Sequence, residues 1–229
     1  MRNSSSRPSA VVLSGSGRYA DAWHDFAATS ARLAKLLDEL GLDVAIHSTE
    51  DGPPDLTAVD LLVVNAGGGS TPTPDSGIGE ARSAEALRRL VVDYARRGGP
   101  VLAVHTASNT FFEGPDWAEV IGGRWVPGVS MHPPADTTTV SVATDVHPIT
   151  AGLADFVARD ERYSYLQTSP DAVVLVTHEH DGVRHPVVWA RESDGTRVVY
   201  DSFGHDVAAY ELPGRADLLR REVNWLLAR

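Results

Sequence analysis

The sequence predicts an α/β fold with a mostly parallel sheet covered by helices on both faces, and two observations carry that prediction. Short apolar runs alternate with longer stretches whose apolar residues recur at helical spacing. Glycines and polar loops punctuate the junctions, so each run reads as a strand feeding a crossover helix. The first run, "SAVVLS" at residues 9–14, passes through "GSG" into "DAWHDFAATSARLAKLLDELG". There Trp23, Phe26, Leu33, Leu36, Leu37 and Leu40 recur at helical spacing and Gly41 supplies the stop. "LDVAIHS" (42–48) is a second strand, and "AVDLLVVNAGGG" (58–69) a third, whose glycines open a loop running through "STPTPDSGIGE". "ARSAEALRRLVVDYARRGG" is an amphipathic helix closed by Gly98 and Gly99, which delivers the chain to the buried strand "PVLAVH".

After residue 123 the pattern changes to closely spaced strands: "GRWVPG", "TTTVSVA", "AVVLVTHEH", "HPVVWARE" and "TRVVYDS". These are expected to extend the sheet or form an antiparallel flank. The last segment, "PGRADLLRREVNWLLAR", places Leu218, Leu219, Val223, Leu226 and Leu227 on one helical face. The Ser-rich residues 1–8 are expected to be disordered, which leaves residues 9–229 as a single domain.

Composition narrows the function classes. No window approaches the run of about twenty apolar residues that a spanning helix needs, and the first residues lack the order of a signal peptide. The expectation is a cytoplasmic protein with no membrane partner. A formal charge of −11, with neither sign gathered into long blocks, argues against nucleic acid. With no cysteine in the chain, disulfides, thiolate metal sites and thiol nucleophiles are excluded together.

In a parallel sheet, ligands bind beyond the carboxyl ends of the strands, so the strand exits are where chemistry is sought. The first exit carries His24 and Asp25, the third "NAGGG", and the fourth "HTASN" with His105, Thr106, Ser108 and Asn109. His105 is read either as a strand-end histidine held by one backbone partner or as a proton-transfer or metal-binding group. His132 in "MHPP" and His205 with Asp206 in "GHD" follow later, Asp206 serving equally well as an N-cap. In "ARDERYSYL", alternate members share a strand face, which pairs Glu161 with Tyr163, although a solvated charged turn is the plainer reading. His178 and His180 also share a face. They and His185 flank an "EHDG" stretch read as a surface hairpin turn without function.

Taken in order, "GGPVLAVHTASN", "WAEVIGGRW", "MHPP", "DVHPITAGLADFVARDERYSYL", "HPVVWARESDGTRVVYDSFGHD" and "REVNWLLA" resemble the ThuA-like (trehalose utilization) family. The resemblance runs through nearly the whole chain and implies a three-layer, flavodoxin-like fold related to class I glutamine amidotransferases. Those relatives place a cysteine nucleophile after the strand that here reads "AVHTASN", so glutamine hydrolysis by that route is excluded. Ser108 lacks the Gly-x-Ser-x-Gly frame of a serine elbow. The resemblance further implies a pocket built from His24, His105, His132 and His205, joined by Glu161 at the family's "DE-x-Y" position. Near the start the chain departs from the family pattern, with "SGSGRYADAWHD" in place of a Gly-rich stretch ending in Arg-His-Asp.

The resulting expectation is an enzyme of carbohydrate metabolism acting on a trehalose-like or oxidised sugar. His105, His205 and Glu161 are the catalytic candidates, and His24, His132, Asn109, Tyr163 and Asp206 the substrate-binding ones. Two imidazoles with a carboxylate suit general acid/base chemistry or a divalent metal, and sequence spacing does not separate the two; acid/base chemistry is slightly favoured. The competing reading is a non-catalytic sugar-binding module on the same fold. Exposed aromatics such as Trp117 and Trp125, if outside the core, suggest a sugar platform or a contact between copies in a homo-oligomer.

Overall fold

The computed structural model describes residues 7–69, 78–193 and 195–228. Its first half runs β1 (Ser9–Ser14), α1 (Phe26–Glu39), β2 (Asp43–Ser48), β3 (Leu61–Asn65), α2 (Ile78–Arg96), β4 (Val101–Val104) and α3 (Pro115–Ile121). The second half comprises β5 (Gly123–Arg124), β6 (Asp136–Val142), β7 (Phe156–Asp160), β8 (Gln167–Thr168), β9 (Val173–His180), β10 (Val183–Ser193), β11 (Thr196–Asp201) and α4 (Pro213–Leu227). Nine strands form one sheet in the order β2-β1-β3-β4-β11-β10-β9-β6-β7, and β5 pairs with β8 separately. From β2 to β11 the pairing is parallel; β10, β9, β6 and β7 add an antiparallel flank.

Strand periodicity divides the core into two layers. Ala10, Val12, Leu61, Val63, Leu102 and Val104 face Leu33 and Leu37 of α1 and Leu218 and Val223 of α4. Their alternate neighbours, Leu13, Leu62, Val64, Val101 and Ala103, face Leu87 and Val91 of α2 and Trp117 and Ile121 of α3. That is the three-layer arrangement expected of strands buried on both faces. Trp117 therefore belongs to the core, its indole N–H donating to the Ala107 carbonyl at 2.8 Å. No helix among the described residues is long and apolar enough to cross a membrane.

Several local expectations are corrected. Trp23 does not lie on α1: Asp25 caps that helix, accepting from the Ala28 N–H at 3.0 Å, and Trp23 precedes it with 79% of its surface exposed. "GRWVPG" contributes only the two residues of β5. Of the glycine-opened loop, residues 70–77 lie outside the described residues, and α2 already begins at Ile78. Of the segment expected to be disordered, residues 1–6 also lie outside them, whereas Arg7 is tied down by donating to the carbonyls of Gly41 at 3.1 Å and Leu42 at 2.6 Å.

"HDGV" does form the β9–β10 hairpin turn, with Asp181 and Gly182 both in the left-handed region at φ 51° and 72°. Its flanking histidines are not surface residues, however. His178 and His185 are buried, and His178 Nε2 lies 3.0 Å from the Tyr163 carbonyl.

At the far flank, β6 pairs with β9 only through Ser141 and Val142, while β6 and β7 stay paired from Asp136 to Val140. The β6–β7 ribbon thus leaves the sheet plane, and β7 packs against α4. Gly214 makes that crossing feasible, because a Cβ there would stand 2.5 Å from Cβ of Phe156.

Candidate functional site

Four donor groups meet beyond the strand exits: His24 after β1, His105 after β4, Glu161 after β7 and His205 after β11, with one ligand atom from each lying within 4.8 Å of all the others. His105 is placed by a strained turn. The chain leaves β4 directly into a short 3-10 turn, His105–Ser108, and His105 adopts φ 50°, a left-handed conformation that costs a non-glycine residue about 1–2 kcal/mol. Tyr200 on the neighbouring β11 holds that turn by donating to the His105 carbonyl at 2.8 Å. Thr106 and Thr110 both donate to the Ala66 carbonyl, at 2.9 and 2.6 Å, which locks the β4 exit to the β3 exit.

The outer partners of His24 and His105 set which ring nitrogen of each faces the cluster. His105 Nδ1 lies 2.6 Å from the Ser202 carbonyl, which can only accept, so Nδ1 carries the proton and Nε2 a lone pair. His24 Nδ1 faces both carboxylate oxygens of Asp21 at 2.7 and 2.8 Å, which likewise places its proton on Nδ1. The two Nε2 atoms nevertheless stand 3.0 Å apart. Two lone pairs do not approach so closely unless a positive charge, a proton or a metal ion, lies between them. Glu161 Oε2 is 3.4 Å from His105 Nε2 and 3.8 Å from His24 Nε2, while Oε1 is 3.4 Å from His205 Nδ1. Glu161 Oε2 and His205 Nδ1 are buried without a hydrogen-bond partner.

These separations suit a metal centre. Donors about 2.1 Å from one cation stand about 3.0 Å apart at right angles and about 3.4 Å apart at the tetrahedral angle. The outer partners of His24 and His105, a carboxylate and a backbone carbonyl, are those that metal-bound histidines take. Three imidazoles and one carboxylate, without sulfur, suit a first-row divalent ion.

The comparisons with known proteins agree on the scaffold. Residues 10–226 match the ThuA family model, described as trehalose utilisation. The chain belongs to the ThuA family. A ThuA-like protein from Parabacteroides merdae superimposes with a TM-score of 0.76 at 17% identity, over 97% of this chain and 90% of its own. A ThuA-like protein from Bacteroides uniformis gives 0.74 at 18% identity, over 100% and 95%. A glutamine amidotransferase from Thermotoga maritima gives 0.60 at 10% identity, over 97% and 99%, so the class I amidotransferase-like fold is shared. Comparison with curated protein sequences finds no match.

The remaining candidates of this ThuA-family chain occupy distinct places. Tyr163 is buried with its hydroxyl 3.2 Å from His105 Nε2, and burial holds its pKa well above the ordinary phenol value. His132 sits at the rim, 36% exposed, with Nδ1 3.5 Å from Glu161 Oε1, and Trp125 packs edge-on against Tyr163. Asn109 is half-buried against the glycine loop after β3, where a Cβ on Gly68 would stand 2.7 Å from its Nδ2. Asp206 takes the N-cap reading: its carboxylate caps the turn Val207–Tyr210, accepting from the Ala209 N–H at 3.0 Å, and pairs with Arg159 at 2.9 Å. Ser108 is buried with its hydroxyl 3.1 Å from the Tyr200 hydroxyl, which occupies it structurally.

Two carboxylates escape a reading of the sequence. Asp21 offers a faint signal, since an aspartate three residues before a histidine can close a local turn; here it also accepts the N–H groups of Trp23 and His24, both at 2.9 Å. Asp160 reads as part of a charged turn, yet it is buried. A separate cleft of about 1170 Å³ is lined by Arg7, Leu56, Tyr94, Arg97 and Arg197 and contains none of these histidines. It lacks the convergent donor set, so the histidine cluster is the candidate site.

The cluster's titration yields a prediction. Burial alone would lower the His24 pKa, but its hydrogen bonds to Asp21 and the nearby Glu161 carboxylate outweigh it and raise the value to about 9. Burial pushes Glu161 up, and the close imidazoles of His105, His205 and His24 pull it far below the usual carboxylate range. In the metal-free protein His24 is therefore protonated at neutral pH, its extra proton filling the 3.0 Å gap between the two Nε2 atoms. Its stabilising contribution is complete below the ordinary value of 6.5 and is lost as pH rises through about 9. The Glu161 contribution is complete above its ordinary 4.5 and is lost as pH falls below it. A cation must displace the His24 proton, so metal affinity is expected to rise about tenfold per pH unit up to pH 9. Isothermal titrations with Zn²⁺ in buffers of different ionisation enthalpy check this; zero protons released at pH 7 would contradict it.

Proposed function

We propose that this chain is a metal-dependent enzyme acting on a trehalose-like or oxidised sugar, with a divalent ion held by His24, His105, Glu161 and His205. The observation that carries the reading is the convergence of one donor atom from each of His24, His105, Glu161 and His205 within 4.8 Å of one another, with two Nε2 atoms 3.0 Å apart beside the carboxylate. The sugar class is supported by the family's description as trehalose utilisation. An ion in this position supplies Lewis-acid polarisation of a substrate oxygen. The chain's own groups then have distinct tasks: Tyr163 presents a buried hydroxyl beside the donors, Trp125 walls the approach, and His132 offers an imidazole to solvent at the mouth. The geometry thereby shifts the balance from plain acid/base chemistry toward a metal centre.

The test is elemental analysis of purified protein, followed by turnover assays on trehalose-type disaccharides and their keto forms before and after chelation. The expected result is one metal per chain, with turnover lost on chelation and restored by the ion. Full turnover without metal would return the site to acid/base chemistry. Sugar binding without turnover, with His105→Ala altering the affinity alone, would favour the binding-module reading.

A further inference from the structure

Asp160 sits behind the candidate ligands and touches none of the space a substrate could enter, its side chain being only 1% exposed. Its Oδ1 accepts the N–H of Glu161 at 2.8 Å and, at 3.3 Å, that of His205. Its Oδ2 accepts the N–H of Gly204 at 2.6 Å, and Oδ1 stands 3.9 Å from His105 Nδ1. A single carboxylate thus gathers the backbone of both segments that present Glu161 and His205. Sheet pairing does not perform that task, since β10, β9 and β6 lie between β11 and β7 in the strand order. Gly204 permits the approach: it adopts φ 136°, and a Cβ there would stand 2.5 Å from the Tyr210 hydroxyl.

We infer that Asp160 is a positioning residue of this site, setting the distance between Glu161 and His205 and hence how closely their donor atoms can gather around a cation. The inference rests on the metal-centre reading above. Its physical basis is that a carboxylate accepts from three N–H groups at once, whereas an asparagine side chain must turn its own NH₂ toward one of them. Asp160→Asn keeps size and shape while breaking that convergence.

The experiment compares wild type, Asp160→Asn and Arg159→Ala by Co²⁺ titration with visible absorption, and by crystal structures of the metal-free proteins. Arg159→Ala changes an exposed neighbour of Asp160 on β7, cutting only its surface pair to Asp206, and is expected to leave Co²⁺ affinity within about twofold. Asp160→Asn is expected to lower Co²⁺ affinity by about tenfold to a hundredfold and to alter the shape of the absorption bands. Its crystal structure is expected to show the Glu161 to His205 separation, 3.4 Å here, opened by about 1 Å. A variant with unchanged affinity, spectrum and separation overturns the inference. Failure of wild type to bind Co²⁺ sinks the metal reading, and the crystal structures still decide whether Asp160 sets the separation.

Discussion

Glu161→Gln is expected to weaken divalent-metal binding by more than about a hundredfold, because loss of a supporting residue alone commonly costs 10–100-fold and this change removes a donor itself. Glu161 is the one carboxylate among the four grouped donors, and it faces His105, His24, His205 and His132 at 3.4 to 3.8 Å. Gln keeps the volume and removes the charge. The metal-free variant should stay folded, since the imidazolium of His24 loses one of its two carboxylate partners but keeps Asp21 at 2.7 Å. Competition against a chromophoric chelator, with circular dichroism as the folding control, measures the effect. Wild-type affinity in the Gln variant would remove Glu161 from the ligand set.

Arg215→Met is expected to cost about 3–5 kcal/mol of folding stability, the usual consequence of stranding a buried charge by deleting its partner. Arg215, Asp201 and Glu222 are all essentially inaccessible to solvent. The guanidinium approaches Asp201 Oδ2 at 2.8 Å as an ion pair off the line of a hydrogen bond, and stands 4.0 Å from Glu222. Phe203 and Tyr210 flank it with ring centroids at 5.8 and 5.2 Å. Burial pushes the carboxyls of both Glu222 and Asp201 up, with Asp201 further raising Glu222 and Arg215 drawing both back.

Removing the cation raises both carboxyls further. Native carboxyls whose pKa lies above the unfolded value contribute stability at low pH that is lost as pH rises. The deficit of Arg215→Met should therefore be larger at pH 8 than at pH 5 in urea unfolding, and adding Glu222→Gln should recover part of it at pH 8. An unchanged urea midpoint would show that Asp201 and Glu222 tolerate each other without the guanidinium. Because Asp201 also accepts the Phe203 N–H at 2.9 Å, this triad supports the segment whose Ser202 carbonyl orients His105.

The architecture was legible because its determinants are local and periodic. In β1, β3 and β4 every residue except Ser9, Ser14 and Asn65 at strand ends is apolar, as strands between two helical layers must be, and the Asp-Gly pair sets the β9–β10 turn through left-handed backbone angles. Trp23 misled because apolar spacing extends upstream of the helix boundary, whereas Asp25 starts the helix by taking up a free N–H. His178 and His185 misled in the opposite direction: they stand near a surface turn, but the Tyr163–Tyr165 segment covers them, with the Tyr165 N–H 3.3 Å from His185 Nδ1.

For this protein the amino-acid order alone determined the layered α/β scaffold, the loss of any thiol route and which histidines stand at strand exits, since each follows from residue type, period and position in the chain. Tertiary structure alone decided which nitrogen of each imidazole faces inward, that Asp21 and Ser202 orient them, that Asp206 caps a turn, and that Asp160 joins β7 to the β11 exit. The physical reason is that hydrogen-bond direction and charge burial depend on atoms brought together from residues 21 to 206. No local period or propensity encodes an encounter between segments so far apart in the chain.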